Sequence, residues 1–141
     1  ESHVVPAMIR RYYEARRDRL PEVVMWGSGD AVRDFVYAGD VAAVLADMLE
    51  SYDSSEPVNV STGTTTSIRT LAETIRELVG FEGEIVWDRT KPEGQAVKIF
   101  DVQRLRGLGY SCDTSLRDGL ARTIAWLAKN YDDRGDGLRL D

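Results

Sequence analysis

The feature that most constrains the fold is the alternation of helical periodicity with short β-prone runs along the chain. Residues 41–52 repeat apolar side chains at intervals of three and four, which places them on one face of an α-helix. Asp40 stands where a helix N-cap is expected. Residues 68–79 repeat the pattern, after Ser67 and before Gly80, which are typical start and stop residues. Both stretches are therefore predicted helices with an apolar face toward the core.

Two further helices and a shorter one complete the helical prediction. Ser115 has the capping-box spacing to Asp118 at the start of a third amphipathic stretch. Residues 4–13 contain two adjacent apolar rows with i, i+4 spacing, and Pro6 is early enough to fit a first turn. Residues 102–108 are predicted to form a short helix.

Five runs rich in β-branched and aromatic residues lie between these helices. The predicted strands are residues 22–26, 33–37, 57–60, 84–87 and 97–100. A predicted turn at residues 27–30 joins the first two strands. Alternating helices and strands are typical of a mixed α/β domain, so we predict one small sheet with about five helices.

Composition restricts the functions that this chain can have. The 141 residues are 43% hydrophobic and 30% charged, as in an ordinary globular domain. A formal net charge of −6 argues against a general nucleic-acid-binding protein. No apolar run is long enough for a transmembrane helix, and the first residues do not resemble a signal peptide. Cys112 is the single cysteine, so a reducing, cytoplasmic location is expected, and Glu1 in place of Met suggests a piece of a longer protein.

The residues of several common catalytic sites are missing from the sequence. A Ser-His-Asp or Cys-His site needs a well-placed imidazole, and the single histidine, His3, has no obvious partner. The Cys and His spacing of a zinc site is also missing. Gly27-x-Gly29 and Gly107-x-Gly109 each lack the third glycine of a dinucleotide loop, and no tyrosine has a lysine four residues later. The chain therefore offers binding chemistry more than bond-making chemistry.

The most specific stretch of the sequence is residues 24–42, Val-Met-Trp-Gly-Ser-Gly-Asp-Ala-Val-Arg-Asp-Phe-Val-Tyr-Ala-Gly-Asp-Val-Ala. It combines a β-prone run, a glycine turn, an Arg-Asp-Phe segment and a helix start. The segments 2–11, 59–71 and 88–120 continue the pattern, with Lys-Pro-Glu-Gly at residues 91–94. Together these motifs resemble the C-terminal half of the extended short-chain dehydrogenase/reductases, the NAD-dependent epimerase/dehydratase family. The resemblance covers nearly the whole chain.

The resemblance implies an architecture larger than this chain. In the family, an N-terminal Rossmann domain carries the glycine-rich loop and the Ser, Tyr and Lys of catalysis, and the C-terminal half holds the nucleoside-diphosphate sugar. Residues 1–141 resemble that second half. The implied fold is thus a mixed α/β substrate-binding lobe that normally packs on a Rossmann domain absent here. The implied cofactor, NADP(H), would bind to the missing half and not to this chain, and the implied parent enzyme is a homodimer.

Within the family, the resemblance is strongest to enzymes of GDP-linked sugars, through Ser-His-Val-x-Pro-Ala at residues 2–7 and Trp-Gly-Ser-Gly at residues 26–29. It implies 3,5-epimerisation and 4-reduction of GDP-4-keto-6-deoxymannose. Tyr37 replaces a family histidine and Ser61 a family glycine. Tyr37 resembles the broader sugar epimerase and dehydratase pattern, so a UDP- or dTDP-sugar 4-epimerase or dehydratase is the alternative. A non-catalytic sugar-nucleotide-binding module is another alternative. A third is an arginine-rich segment, residues 10–19, that binds an acidic partner protein.

Three cations match substrate-binding positions of the family. The resemblance places Arg33 on the diphosphate, where a guanidinium group can form bidentate hydrogen bonds to phosphate oxygens. The alternative for Arg33 is a salt bridge to Asp34 or Asp40. Arg11 on the first helix matches a second family arginine, and Lys98 matches a lysine near the same phosphates.

Trp26 matches a substrate-contacting tryptophan of the family, and an indole can pack against a base or a sugar face. The alternative is a core tryptophan. Asp40 is expected to be structural, as a helix N-cap. For the arginines of residues 10–19, the alternative to an anion site is a solvated helix face partnered by Glu14 and Asp18. No catalytic, cofactor-binding or metal-binding residue is expected in this chain.

Overall fold

The computed structural model describes the backbone of residues 3–132 and the side chains of residues 3–130. Five helices and five strands are described within this range. In chain order they are α1 (Val4–Arg17), β1 (Glu22–Trp26), β2 (Val32–Arg33), α2 (Ala38–Ser51), β3 (Thr66–Ser67), α3 (Ile68–Val79), β4 (Glu84–Asp88), β5 (Val97–Lys98), α4 (Gln103–Gly107) and α5 (Leu116–Asp132). The mixed α/β class predicted from the sequence is confirmed.

The helix ends follow the capping signals in the sequence. The Ser67 hydroxyl accepts a hydrogen bond from the backbone N–H of Thr70 at 3.0 Å, so Ser67 is the N-cap of α3. Gly80 ends the helix with φ of 70°, a left-handed conformation that suits glycine. At the start of α5, the Asp118 N–H donates to the Ser115 hydroxyl at 3.1 Å, and that hydroxyl donates to the Asp118 carboxylate at 2.6 Å. These local hydrogen bonds fix where both helices begin.

The strands form two small sheets and not the single sheet that was predicted. β1 and β4 form a parallel pair, whereas β2 lies between β3, which is antiparallel to it, and β5, which is parallel to it. The register pairs Val32 with Val97 and Arg33 with Lys98. Glycine turn residues 27–30 therefore connect strands of different sheets. The turn thus links the last residue of β1 in one sheet to the first residue of β2 in the other. It borders the candidate site described below.

One predicted strand, and all but the first residue of another, have no ladder in the structure. Residues 34–37 and 57–60 belong to no strand. After β2 the chain is held by a side chain instead, because the Asp34 carboxylate accepts hydrogen bonds from the Thr62 hydroxyl at 2.7 Å and from the Gly63 N–H at 3.0 Å. Strand β3, at Thr66–Ser67, was not predicted from the sequence.

The main hydrophobic core lies between α1, α3, α5 and the β1–β4 pair. Its buried residues are Met8, Ile9, Tyr12, Ala15, Val23, Met25, Leu71, Ala72, Ile75, Val79, Phe81, Leu120 and Leu127. The predicted core positions Leu71, Ile75 and Val79 are thus confirmed, while Ile68 and Val60 are partly buried. Packing of α3 against α1 and α5 provides a rigid base for the strands.

The apolar face of α2 is only partly covered, contrary to the prediction that it would be core. Val44 is buried in a second, smaller cluster with Val102, Leu105 and Cys112. Leu45 is 52% exposed, and Leu49 on the next turn is 88% exposed. The second cluster contacts α2 through Val44 and Met48. Leu45 and Leu49 are therefore not covered by the described residues.

Asp40 is structural, but it is not the N-cap of α2. The N-cap position is Tyr37, and Asp40 lies in the first turn of the helix. Its carboxylate accepts hydrogen bonds from the Thr114 N–H at 2.8 Å and from the Thr114 hydroxyl at 2.6 Å. These bonds favour the ionised form and lower the pKa of Asp40. Asp40 therefore links the start of α2 to the segment that precedes α5.

Candidate functional site

The candidate site is built around the glycine turn between β1 and β2. Gly27 and Gly29 both have φ of 81°, which strains any residue with a side chain. Ser28 between them is 8% exposed, and both of its backbone groups are bound by side chains. Its N–H donates to the Glu93 carboxylate and its carbonyl accepts from the Arg69 guanidinium. With a further bond from the Arg69 N–H to the Gly29 carbonyl at 2.8 Å, the turn is firmly held.

A cavity of about 220 Å³ opens beside this turn. Trp26, the turn itself and Arg33 line one side, and residues 92–94 line the other. Val4 at the start of α1 contributes an apolar wall. Binding sites for whole small molecules usually enclose about 300–1,000 Å³, so this cavity has room for part of a nucleotide only.

Arg33 is half-buried at the edge of this cavity and carries an uncompensated charge. Its guanidinium donates to the Val32 carbonyl at 2.8 Å. The alternative of a salt bridge is wrong, because Asp34 binds the segment at residues 62–63 and Asp40 binds Thr114. The Gly94 backbone lies close by, since a Cβ at that position would be 3.4 Å from a terminal nitrogen of Arg33. The guanidinium therefore has donors left for a ligand.

Lys98 lies beside Arg33 on the neighbouring strand. Since the two residues are register partners on parallel strands, their side chains leave the same face of the sheet from backbones about 4.8 Å apart. Lys98 is exposed. Neither residue takes part in the salt bridges of the described region. The pair therefore creates a local positive potential in an otherwise acidic chain.

Arg11 lies in a separate, smaller cleft of about 100 Å³. Its guanidinium donates to the Val24 carbonyl at 2.9 Å and lies 4.0 Å from the Met25 sulfur. The cleft shares Val4 with the larger cavity, so the two depressions are neighbours. The structure thus places Trp26 and Arg33 on one cavity, Lys98 on the strand next to Arg33, and Arg11 in the adjoining cleft.

Trp26 is 65% exposed at the end of β1, which rules out the alternative of a core tryptophan. The Lys91 ammonium lies 5.9 Å from the centre of its ring. An exposed indole beside a cavity offers a flat apolar surface for stacking. Sequence reasoning did not select Lys91, Glu93 or Gly94 as site residues, although the Lys-Pro-Glu-Gly motif that contains them was its available signal.

The arginine-rich part of α1 behaves mainly as a solvated helix face. Arg10 pairs with Glu14 at 2.8 Å, and Arg17 pairs with Asp18 at 2.8 Å. The bond from Arg17 lowers the pKa of the Asp18 carboxyl. Arg16 donates to a backbone carbonyl at the C-terminus of α3 at 2.8 Å. These contacts fit the alternative of a solvated face for the segment outside Arg11.

Among residues 3–132, neither glycine pair has the geometry of a dinucleotide-binding loop. A phosphate-binding glycine loop leads from a strand directly into a helix N-terminus. Gly27 and Gly29 connect two strands, while Gly107 ends α4 and Gly109 follows it. Between residues 3 and 132, no group of three His, Cys, Asp or Glu side chains is placed to hold a metal ion. In the same range no helix combines the length and apolar character needed to cross a bilayer.

Comparisons with known proteins agree with the motifs and with the fold. Residues 1–61 match the NAD dependent epimerase/dehydratase family. GDP-L-fucose synthase 1 of Arabidopsis thaliana is 44% identical over 94% of this chain, which covers 41% of that protein. GDP-L-fucose synthase of Escherichia coli (strain K12) is 41% identical over 93% of this chain, which covers 44% of it. The chain belongs to the NAD-dependent epimerase/dehydratase family.

Among solved structures, a GDP-L-fucose synthetase from Naegleria fowleri bound to NADP is similar, with a TM-score of 0.87 and 28% identity. That similarity covers 92% of this chain and 41% of the Naegleria chain. The chain spans about two fifths of the length of the curated relatives it matches. The fold described here is therefore that of one part of an extended short-chain dehydrogenase/reductase.

Proposed function

We propose that this chain is the substrate-binding lobe of an NADP-dependent nucleotide-sugar epimerase/reductase and that its ligand is a GDP-linked sugar. Arg33 and Lys98 would bind the diphosphate, and Trp26 would pack against the base or the sugar. Arg11 would supply a second guanidinium from the adjoining cleft. The dinucleotide would bind to a Rossmann domain outside this chain.

The observation that carries this proposal is the unpaired charge of Arg33 in a cavity that also contains an exposed indole. A guanidinium with free donors is suited to phosphate oxygens, because its planar fork matches them in pairs. Lys98 on the adjacent strand adds a second cation at the same edge. The carboxylates nearest in sequence, Asp34 and Asp40, form hydrogen bonds to other residues. The Arg33 charge is therefore available to a ligand.

The cavity and the adjoining cleft together suggest how a nucleotide would lie. The larger cavity has room for only part of a nucleotide, and Val4 separates it from the cleft that contains Arg11. An extended ligand would therefore lie across Val4, with its charged part between Arg33 and Arg11. Guanine is favoured as the base because similar relatives are named GDP-L-fucose synthases. UDP- and dTDP-linked sugars remain the alternative.

The proposed role of this lobe in the reaction is to bind and orient the sugar. The carboxylate that lines the cavity, Glu93, accepts a hydrogen bond from the Ser28 N–H. Hydride transfer would come from the bound cofactor on the other domain. We therefore expect this polypeptide alone to bind nucleotides and to catalyse no oxidation of NADPH. Hydride transfer by the chain alone would refute this assignment.

A nucleotide panel tests the proposed ligand. GDP, UDP and dTDP are titrated into the chain by calorimetry, and GDP is expected to bind most tightly. Arg33→Ala should weaken GDP binding by about 1.5–3 kcal/mol, which is roughly a 10- to 150-fold loss. Arg104→Ala is the matched control, since Arg104 pairs with Glu56 at 3.0 Å, away from the cavity. Binding of UDP or dTDP without binding of GDP would overturn the guanine assignment, and equal affinities of the wild type and Arg33→Ala would make Arg33 structural.

A non-catalytic sugar-nucleotide-binding module is the second candidate. The described residues, which contain no strand-turn-helix glycine loop, are compatible with either candidate. The two candidates differ when a Rossmann partner is supplied. Full reductase activity of a longer chain that contains this lobe supports the enzyme, and binding without turnover supports the module. A homodimeric parent and a cytoplasmic location are further parts of the first proposal.

A further inference from the structure

We propose that Glu93 is a positioning residue that holds the segment of residues 89–96 against the glycine turn, and so completes the ligand cavity. The inference rests on the proposed function, because it concerns the same cavity. Although Glu93 lines the cavity, its proposed role is to hold the segment and not to bind the nucleotide. It acts through Lys91 and Gly94, which its position in the segment brings to Trp26 and Arg33.

The segment between β4 and β5 has few attachments to the rest of the molecule. All of its side chains from residue 89 to residue 96 are exposed. At its start, the Asp88 carboxylate accepts hydrogen bonds from the Thr90 N–H at 3.0 Å and from the Thr90 hydroxyl at 2.6 Å. At its end, the Ala96 carbonyl accepts from the Val32 N–H at 2.8 Å. Between these two ends, the described hydrogen bond that reaches the body of the protein is the one from the Ser28 N–H to Glu93.

Gly27 shows how closely the Glu93 side chain lies on the turn. A Cβ at residue 27 would be 2.9 Å from the Glu93 Cγ and 3.2 Å from its Oε1. A side chain there would push Glu93 away from the Ser28 N–H. The glycine is thus required by its φ of 81° and by the close approach of Glu93. Ser28 is itself bound from the other side by Arg69, so Glu93 is attached to a rigid anchor.

The segment held in this way carries two contacts of the cavity. The Lys91 ammonium lies 5.9 Å from the ring centre of Trp26, and the Gly94 backbone borders Arg33. Released from Ser28, the segment would be ordered only at its ends. A ligand would then have to immobilise the segment on binding, which lowers the affinity.

Glu93 has two opposite effects on the affinity for an anionic ligand, and substitutions can separate them. A carboxylate beside the cavity repels a diphosphate, whereas its hydrogen bond to Ser28 keeps the cavity formed. Glu93→Gln removes the charge and retains an oxygen that can accept the same hydrogen bond. Glu93→Ala removes both. The proposed role therefore predicts that Glu93→Gln binds GDP as tightly as wild type or more tightly. Glu93→Ala is predicted to bind GDP more weakly than wild type.

The experiment measures two quantities on the intact chain. Calorimetric titration gives the Kd for GDP, and hydrogen–deuterium exchange gives the protection of peptides that cover residues 27–30 and 89–96 without ligand. Glu93→Ala is expected to weaken GDP binding about tenfold and to speed exchange in both peptides. Glu93→Gln should restore both quantities toward wild type. Glu50→Ala is the control, because Glu50 is an exposed carboxylate on α2.

Each outcome decides between the possibilities. Unchanged exchange in Glu93→Ala would show that Glu93 does not hold the segment, and would overturn the inference. Faster exchange with equal or tighter GDP binding in Glu93→Ala would show that the charge dominates, and would overturn the positioning role. If wild type binds none of GDP, UDP and dTDP, the proposed function fails first. Wild-type binding that Glu93→Ala leaves unchanged refutes only the present inference.

Discussion

Two leucines, identical in type and both in helices, give a direct test of the packing described above. Leu71 on α3 is 0% exposed within the main core, and Leu49 on α2 is 88% exposed. Both were predicted from the sequence to face a core. The structure gives them opposite environments, so Leu71→Ala and Leu49→Ala should differ sharply in their effect on stability.

The size of the difference follows from the burial of the two side chains. Leu→Ala removes three carbons, and full burial of each is worth about 0.8 kcal/mol, or roughly 2.4 kcal/mol in total. The cavity left at Leu71 adds to this loss, so Leu71→Ala should lower the free energy of unfolding by about 3–4 kcal/mol. Because Leu49 is largely exposed, Leu49→Ala should lose only about a tenth of this transfer free energy, or roughly 0.3 kcal/mol.

Urea denaturation followed by circular dichroism measures both variants against wild type. The m-value should stay unchanged, since the area exposed on unfolding is nearly the same. Leu71→Ala should also lower the Tm by roughly 10 °C, and Leu49→Ala should leave it within about 2 °C of wild type. Equal losses in the two variants would refute the burial assigned to α2. A Leu71→Ala loss below about 1 kcal/mol would refute the placement of α3 in the core.

Two further predictions concern the turn and the α2 link. Gly29→Ala should destabilise the fold by about 1–3 kcal/mol in thermal melts, because a Cβ there would lie 2.7 Å from an indole ring and φ is 81°. Gly107→Ala, whose Cβ would meet nothing within 4 Å, should change stability by less than about 1 kcal/mol. Asp40→Asn should lower stability at pH 7. Hydrogen bonds from Thr114 hold the folded pKa of Asp40 below its ordinary 3.8, so this stabilisation is present above pH 3.8 and lost below it. In a pH series of urea denaturation, the difference from wild type should shrink as the pH falls below 3.8.

Both ends of α3 and the start of α5 could be predicted to the residue because their signals are local. Ser67 and Gly80 delimit α3 through bonds and backbone angles within one turn of the helix, and the Ser115 capping box does the same for α5. The strands were harder to predict, since β2, β3 and β5 have two residues each and exist only through pairing with distant segments. The periodicity of residues 57–60 carries no information about whether a partner strand is present.

For the candidate site, the sequence could select candidate residues but could not show where all of them lie. Arg33, Lys98 and Trp26 stand in one neighbourhood, as expected for a common ligand. Arg11 lies in a neighbouring cleft, because the crossing of α1 over β1 directs its guanidinium to the Val24 carbonyl. That crossing is set by tertiary packing and leaves no trace in residue spacing.

Glu93 is the clearest residue that sequence reasoning could not assign. Its partner is a backbone N–H located 65 residues earlier in the chain, and a backbone donor has no side-chain identity to recognise. The motif around Glu93 contains glycine, proline and two charges, which alone are typical of an exposed loop. Only the fold shows that this loop is attached to the glycine turn.

The charge distribution gives a physical reason why an acidic chain can still attract an anionic ligand. Within the described residues, five of the arginines form exposed ion pairs. These pairs are Arg10–Glu14, Arg17–Asp18, Arg69–Asp30, Arg104–Glu56 and Arg117–Glu77. Arg33 and Lys98 belong to none of them, and their nearest carboxylates in sequence are engaged by Thr62, Gly63 and Thr114. The negative surface elsewhere repels extended polyanions, while the uncompensated pair at the cavity can select a small ligand with localised charge.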